Sequence, residues 1–188
     1  MLNKKVTSLC LLALMGGNFI VGSGAVFADE GKSEQKETIV TYDNRNAIND
    51  PDQPLNPFYV ITTPGNVTFT DDQKTFDGAV EMTKPDGSAY DGNGVAKVQV
   101  ESNNKFELQL KDGSDKVAYD FSYASQPGDS TIDAKLAKEA GFQELIPEIS
   151  AAKAKYNVRY TMTGKATKTG AHTDTLTYKV ISTTKATS

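Results

Sequence analysis

The stretch GAHTDTLTYKVIST (residues 170–183) contains the only histidine of the chain, His172, two residues before Asp174. A histidine beside a carboxylate can supply the base and the orienting acid of a hydrolytic triad, which also needs a nucleophile. No G-x-S-x-G serine elbow occurs, and the one cysteine, Cys10, lies in an N-terminal apolar run. A lone histidine among polar residues is typical of a solvated turn. The sequence therefore predicts no catalytic residue, and a secreted hydrolase that uses His172 and aspartates is a lesser alternative.

Acidic turns are the candidates for a metal site. Asp86, Asp91 and Asn93 lie in PDGSAYDGNG, and Asp112 and Asp115 lie in KDGSD. Calcium takes several oxygen ligands, which close-set Asp and Asn side chains can provide. The EF-hand spacing is not met, however, and Asp-Gly pairs are common in hairpin turns. The sequence favours turns without a cofactor, with calcium at Asp86, Asp91 and Asn93 as the alternative.

Glu144 and Glu148 stand four residues apart and have the spacing of paired acids on one helical face. Pro147 lies between them and is incompatible with a continuous helix there. We therefore expect these two glutamates in a solvated loop.

From Phe58 onward, apolar and polar residues alternate along the segments that must position these groups. Ala96, Val98 and Val100 share one face of such a segment, and short runs of Gly, Asn and Asp separate the segments. This alternation is typical of antiparallel strands with one buried face. In the last segment, the pattern predicts that Leu176, Tyr178 and Val180 face the core.

One segment departs from this period. In STIDAKLAKEAG (residues 130–141), Ser130 is a good helix N-cap, Asp133 follows three residues later, and Gly141 is a stop signal. We therefore expect a mainly β fold with about eight or nine strands and one short helical insertion. An antiparallel, Ig-like β-sandwich is the economical packing for that many short strands.

The chain divides into three parts. Residues 1–28 have the positive start, apolar run and small residues of a secretory signal peptide, with cleavage expected between Ala28 and Asp29. Residues 29–57 are predicted to form a charged leader, a short β-rich segment (TIVTY, residues 38–42) and a Pro/Asp-rich connector. Residues 58–188 are predicted to form the β-sandwich domain. The protein is thus expected to be secreted, extracellular or associated with the cell surface, with no membrane span after signal cleavage.

Composition narrows the class of partner. Cleavage removes Lys4 and Lys5, so the formal net charge falls from −4 to −6, and it also removes the only cysteine. An acidic chain with two widely separated arginines, Arg45 and Arg159, does not favour nucleic acid, which needs clustered basic residues. A mature chain of this length can bury an adequate core without disulfides.

Two stretches resemble a known family. The segments DPDQPLNPFYVITTPGNVTFT (residues 50–70) and GKATKTGAHTDTLTYKVIS (residues 164–182) are similar to the opening and the end of WxL-type surface domains of Gram-positive bacteria. This resemblance implies a secreted, disulfide-free β-rich domain that associates noncovalently with peptidoglycan. The WxL motif itself is absent, because the chain has no tryptophan and Tyr178 stands where the final strand would carry one.

The sequence therefore favours a non-enzymatic protein involved in adhesion or cell-envelope binding through loops and strand edges. The expected partners are cell-wall polymer, other envelope proteins or a host ligand. The alternative is a structural subunit that self-assembles, in which residues 38–42 add as a strand to the open sheet edge of a neighbour. Tyrosines and C-terminal threonines suit either a ligand surface or ordinary strand positions, which leaves both readings open for Tyr42, Tyr59, Tyr90 and Tyr156.

Overall fold

The computed structural model describes residues 46–187, which form eleven β-strands and no helix. The predicted signal peptide, its cleavage site at Ala28 and Asp29, and residues 38–42 lie outside the described residues. No helix long and apolar enough to cross a membrane occurs in the described part of the chain. In chain order the strands are β1 (Ala47–Asn49), β2 (Val60–Thr62), β3 (Thr75–Thr83), β4 (Val95–Ser102), β5 (Glu107–Leu110), β6 (Lys116–Tyr123), β7 (Ala134–Lys135), β8 (Gln143–Ser150), β9 (Lys155–Met162), β10 (His172–Thr173) and β11 (Leu176–Thr184).

The larger of two antiparallel sheets contains eight strands. Its order is β1-β2-β3-β9-β6-β5-β10, with β7 also paired to β6. The centre is formed by β3, β9 and β6, where Tyr160 lies opposite both Phe76 and Phe121. In β6, Val117, Tyr119 and Phe121 are buried while the residues between them are more accessible. The predicted two-residue period therefore determines which face of this strand is buried.

The smaller sheet has three strands in the order β11-β4-β8, so β11 and β8 are its edges. Tyr178 and Val180 of β11 lie opposite Val100 and Val98 of β4. Val180 belongs to the core, and Leu176 and Tyr178 are partly buried against it. The prediction that these three residues of β11 face the core is confirmed.

One apolar cluster takes its side chains from both sheets. Each large side chain that is fully buried in it contributes about 1.5–3 kcal/mol relative to exposure. The rings of Phe121 and Tyr160 stack with centroids 4.7 Å apart and an interplanar angle of 8°. The fully buried members of this apolar cluster include Ile61, Val80, Met82, Phe121 and Val158 from the larger sheet and Val98, Val100, Ile146 and Ile149 from the smaller one.

The predicted helical insertion at residues 130–141 is wrong. The segment contributes β7, which pairs with β6, and Leu136 N–H donates to Phe121 O at 3.0 Å. Asp133, expected in a capping box, instead accepts hydrogen bonds from the backbone N and Oγ of Ser125, at 2.8 and 2.6 Å. A short isolated helix is marginal because nucleation is costly. Pairing with β6 and burial of Leu136 stabilise the extended form instead.

The expected loop around Glu144 and Glu148 is also wrong, because both residues lie in β8. Proline is tolerated on edge strands and at bulges. Pro147 meets both conditions, since β8 is an edge and its register with β4 shifts around Val98. The number of strands exceeds the predicted eight or nine partly because very short strands, such as β7 and β10, carry no periodic signal.

Candidate binding groove

An irregular segment at residues 63–74, here called the strap, joins β2 to β3 and packs against the larger sheet. The ring of Phe69 lies 5.6 Å from that of Phe76 and 6.1 Å from that of Tyr119, between centroids. Pro64 also docks closely, because a Cβ at Gly78 would lie only 3.1 Å from its Cγ. The strap is therefore held close to the sheet at both points.

The strap and the first half of β11 border a groove of about 650 Å³. A second cavity of about 600 Å³ adjoins it and shares Val67, Phe69, Leu108 and Asp174 with it. Concave sites of this size that combine apolar surface with polar groups are typical of ligand sites. The groove is lined by Asn46, Ala47, Ile48, Thr63, Pro64, Gly65, Asn66, Val67, Phe69, Leu108, Tyr119, Tyr160, Asp174, Thr175, Leu176, Thr177 and Tyr178.

Two tyrosine hydroxyls meet in this groove. Oη of Tyr160, on β9, lies 2.7 Å from Oη of Tyr178, on β11. Burial raises the pKa of Tyr160 to about 12 and raises the pKa of Tyr178 above its ordinary value, so both hydroxyls are protonated at neutral pH. One hydroxyl donates to the other, and the proton of the second hydroxyl meets no acceptor within residues 46–187. The pair therefore offers one hydrogen-bond donor to a ligand.

Asp174 joins the two sheets at one end of the groove. Its Oδ2 accepts hydrogen bonds from Ser102 Oγ at 2.7 Å and from Tyr119 Oη at 2.6 Å. Its Oδ1 accepts from the backbone N–H groups of Asn104 and Thr175, at 3.1 and 2.7 Å. Four donors use the acceptor capacity of a carboxylate. Asp174 is thus a structural junction between the sheets. Burial is the main cause that raises the pKa of Tyr119, and the hydrogen bond to the Asp174 carboxylate raises it further.

The same junction holds a strained residue. Phe106 has φ of 61°, in the left-handed region that bulky residues rarely adopt. Its N–H donates to Ser102 Oγ at 2.6 Å, and its buried ring lies 5.8 Å from the ring of Tyr119. These contacts stabilise a conformation that would otherwise cost about 1–3 kcal/mol.

The prediction that His172 is a solvated turn residue is wrong. Its side chain is only 7% exposed, it lies in β10, and its acidic partner is Asp115 rather than Asp174. Nε2 lies 3.0 Å from Asp115 Oδ2, and Nδ1 lies 3.0 Å from Gly170 O. Both partners are hydrogen-bond acceptors, so each ring nitrogen is directed at a protein group. In this arrangement neither nitrogen is left to activate a nucleophile.

Asp115 organises the loop at residues 164–171, which borders the second cavity. Its carboxylate accepts hydrogen bonds from Thr167 Oγ1 at 2.5 Å, Thr167 N at 2.9 Å and Lys168 N at 3.0 Å. The hydrogen bond from the Thr167 hydroxyl has the largest effect on the pKa of Asp115. Together with the two backbone hydrogen bonds and His172, it holds this pKa well below its usual range. Sequence reasoning placed Asp115 only in a turn, because its partnership with His172 spans 57 residues and has no local signal.

The three calcium candidates each engage a different partner. Asp86 accepts from Ser88 N and Oγ at 2.9 and 2.7 Å, and Asp91 pairs with Lys84 Nζ at 2.9 Å. Asn93 exchanges hydrogen bonds with Thr187, at 3.1 and 3.0 Å. Among residues 46–187, no group of three or more His, Cys, Asp or Glu side chains is placed to hold a metal. The observed roles of these residues are turn and strand-end contacts.

No family model matches the chain, and neither a curated protein nor a solved structure matches it. The resemblance to WxL domains stays a prediction from the two quoted segments. A function for this chain is therefore inferred from the geometry of the groove.

Proposed function

We propose that this is a secreted, non-enzymatic protein of the cell surface that takes part in adhesion or cell-envelope binding through the groove between the strap and β11. The two sheets would form an Ig-like or WxL-like β-sandwich, with the groove at its open side. Cell-wall polymer is the first expected ligand, ahead of other envelope proteins or a host ligand. The observation on which this rests is the Tyr160–Tyr178 hydroxyl pair, because both tyrosines line the groove and the pair has one donor to spare.

The chemistry of the groove suits an extended, amphipathic ligand. Val67, Phe69 and Leu176 present apolar surface, and the tyrosine hydroxyls provide polar contacts beside them. Tyrosine combines a rigid apolar ring with a hydrogen-bonding tip, which suits sugars and peptides alike. The adjoining second cavity lengthens the available surface beyond that of a small-molecule pocket.

A binding role agrees better with the polar groups than catalysis does. Both ring nitrogens of His172 face acceptors, and the carboxylate of Asp174 has four donors. A general base needs a free position within hydrogen-bond reach of its substrate. The groups that resemble catalytic residues in the sequence therefore support structure in this fold.

Cosedimentation of the mature protein with Gram-positive sacculi, across a salt series, tests the proposal. We expect binding that persists at high salt, because apolar and hydroxyl contacts are screened little compared with surface charges. Tyr178→Phe should weaken binding. Tyr156→Phe is the matched control, since it removes a hydroxyl that donates to Glu148 O at 2.8 Å outside the groove. Absence of binding, or equal binding by both variants, would contradict the wall-polymer proposal.

A second candidate function is assembly by strand addition, which is favoured by the position of β11 as a sheet edge that pairs only with β4 among residues 46–187. The opposite edge, β8, is interrupted by Pro147, whereas β11 contains no proline in nine residues. Unprotected edges are templates for an added strand. The added strand would be residues 38–42 of a second copy. Size-exclusion chromatography before and after deletion of residues 29–42 tests this idea, and an assembly unchanged by the deletion would remove it.

A further inference from the structure

The loop between β1 and β2 contains a buried carboxylate with an unsatisfied oxygen. Asp50 is 0% exposed; its Oδ1 accepts a hydrogen bond from Asp52 N at 3.0 Å, and its Oδ2 has no partner among the described residues. The hydroxyl of Tyr59, a residue that is also 0% exposed, likewise lacks a partner within residues 46–187. Buried polar atoms are nearly always paired, and these two belong to residues joined by the hydrogen bond from Asp50 N to Tyr59 O at 3.0 Å, so both need a partner that residues 46–187 do not supply.

The unpartnered hydroxyl faces an acidic cluster. Oδ2 of Asp52 accepts a hydrogen bond from Ser182 Oγ, near the end of β11, at 2.6 Å. Burial raises the pKa of Tyr59 and the charge of Asp50 raises it further, the neighbouring Ser182 hydroxyl opposes this rise, and Asp52 adds a smaller increase. Two carboxylates and two hydroxyls therefore converge between the β1–β2 loop and β11.

Within residues 46–187, no cationic side chain pairs with the carboxylates of this cluster. The ion pairs of the described residues include neither Asp50 nor Asp52. A buried carboxylate without a cation or a full set of hydrogen bonds is costly. Asp52 is exposed, so an ion from solvent can reach the cluster from its side.

We propose that Asp50 and Asp52 bind Ca²⁺, with the hydroxyls of Tyr59 and Ser182 as further oxygen ligands. Ligands made only of oxygen suit a hard cation, and extracellular modules commonly bind calcium with Kd of about 10⁻⁴–10⁻³ M. A bound ion would fasten the Pro/Asp-rich loop that precedes β2 to the end of β11. This site is distinct from the predicted candidates Asp86 and Asp91, whose carboxylates already have partners.

Titration of metal-free mature protein with CaCl₂ tests this site, by calorimetry and by melting temperature, with MgCl₂ and NaCl as ionic controls. We expect a saturable rise in melting temperature with Ca²⁺. Asp52→Asn, at an exposed position, should weaken binding at least about tenfold. Asp91→Asn is the matched control and should keep the wild-type response. The site would be overturned by no response in wild type at about 10 mM Ca²⁺, or by equal responses in wild type and Asp52→Asn.

Terbium luminescence gives a second, independent readout. Tb³⁺ commonly replaces Ca²⁺ and is excited by a nearby aromatic ring, and in this chain, which has no tryptophan, that ring must be a tyrosine or phenylalanine. We expect emission that Ca²⁺ displaces, that Tyr59→Phe strongly reduces, and that Tyr156→Phe leaves unchanged. If Tyr59 merely donates a hydrogen bond to Asp50, Tyr59→Phe would destabilise the protein equally with and without Ca²⁺ and no displaceable emission would appear. That result would overturn the proposal.

Discussion

The hydroxyl oxygens of Tyr160 and Tyr178 lie 2.7 Å apart and join the larger sheet to the edge strand of the smaller one. The ring of Tyr160 also stacks on that of Phe121, and this stacking restrains the ring whose hydroxyl contacts Tyr178. This contact places a hydroxyl pair in a groove that both apolar and polar side chains line. The pair adds a side-chain contact between β11 and the larger sheet, and the proposed binding depends on it.

Removal of either hydroxyl of this pair should destabilise the protein by about 1 kcal/mol, the net contribution of one buried hydrogen bond. We expect Tyr160→Phe and Tyr178→Phe together to cost less than the sum of the single changes, because both remove the same bond. Urea unfolding of the wild type, both single variants and the double variant measures this coupling. Strict additivity would show that the two hydroxyls do not interact.

Gly78→Ala should loosen the strap. A Cβ at this position would lie 3.1 and 3.2 Å from two ring carbons of Pro64, and such overpacking costs about 1–3 kcal/mol. Gly65→Ala is the matched control in the strap itself, because a Cβ there meets nothing within 4 Å; we expect a change within about 0.5 kcal/mol. Equal free energies of unfolding for the two variants would contradict the close docking of Pro64.

Low pH should remove the contribution that Asp115 makes to the folding stability. Its pKa in the folded protein lies well below the unfolded value of about 3.9, so its stabilising contribution is complete above that value and is lost as the pH falls towards the folded pKa. The difference in unfolding free energy between wild type and Asp115→Asn should therefore be largest near neutral pH and shrink below about pH 4. Urea unfolding across a pH series measures it. A difference independent of pH would contradict this role.

His172→Ala should expose the loop at residues 164–171 to protease without abolishing any enzymatic activity. The ring holds both Asp115 and Gly170 O, and Lys165 and Lys168 in this loop are trypsin sites. We expect faster cleavage after these lysines, identified by mass spectrometry, because local opening becomes easier. Leu55→Ala, at a side chain 99% exposed, is the control. Unchanged cleavage together with loss of a hydrolytic activity would favour the hydrolase alternative.

The local sequence pattern alone is enough to predict several of the strands. The alternation in β4 and β11 correctly predicts that Val98, Val100 and Val180 are buried, because successive side chains of a strand point to opposite faces. The same reasoning fails at residues 130–141, where Ser130 and Gly141 are good helix signals. Helix propensity is a weak prior that a paired neighbouring strand readily overrides.

The groove and the acidic clusters depend on distance in the fold rather than in the chain. Asp115 meets His172 across 57 residues, and Asp52 meets Ser182 across 130. The sequence by itself determined an acidic, strand-rich chain with a defined buried face in the longer alternating strands, because those properties arise from residue type and a period of two. Only the tertiary structure decided which polar residues share a site, because strand order and register bring distant segments together and no local pattern encodes that pairing.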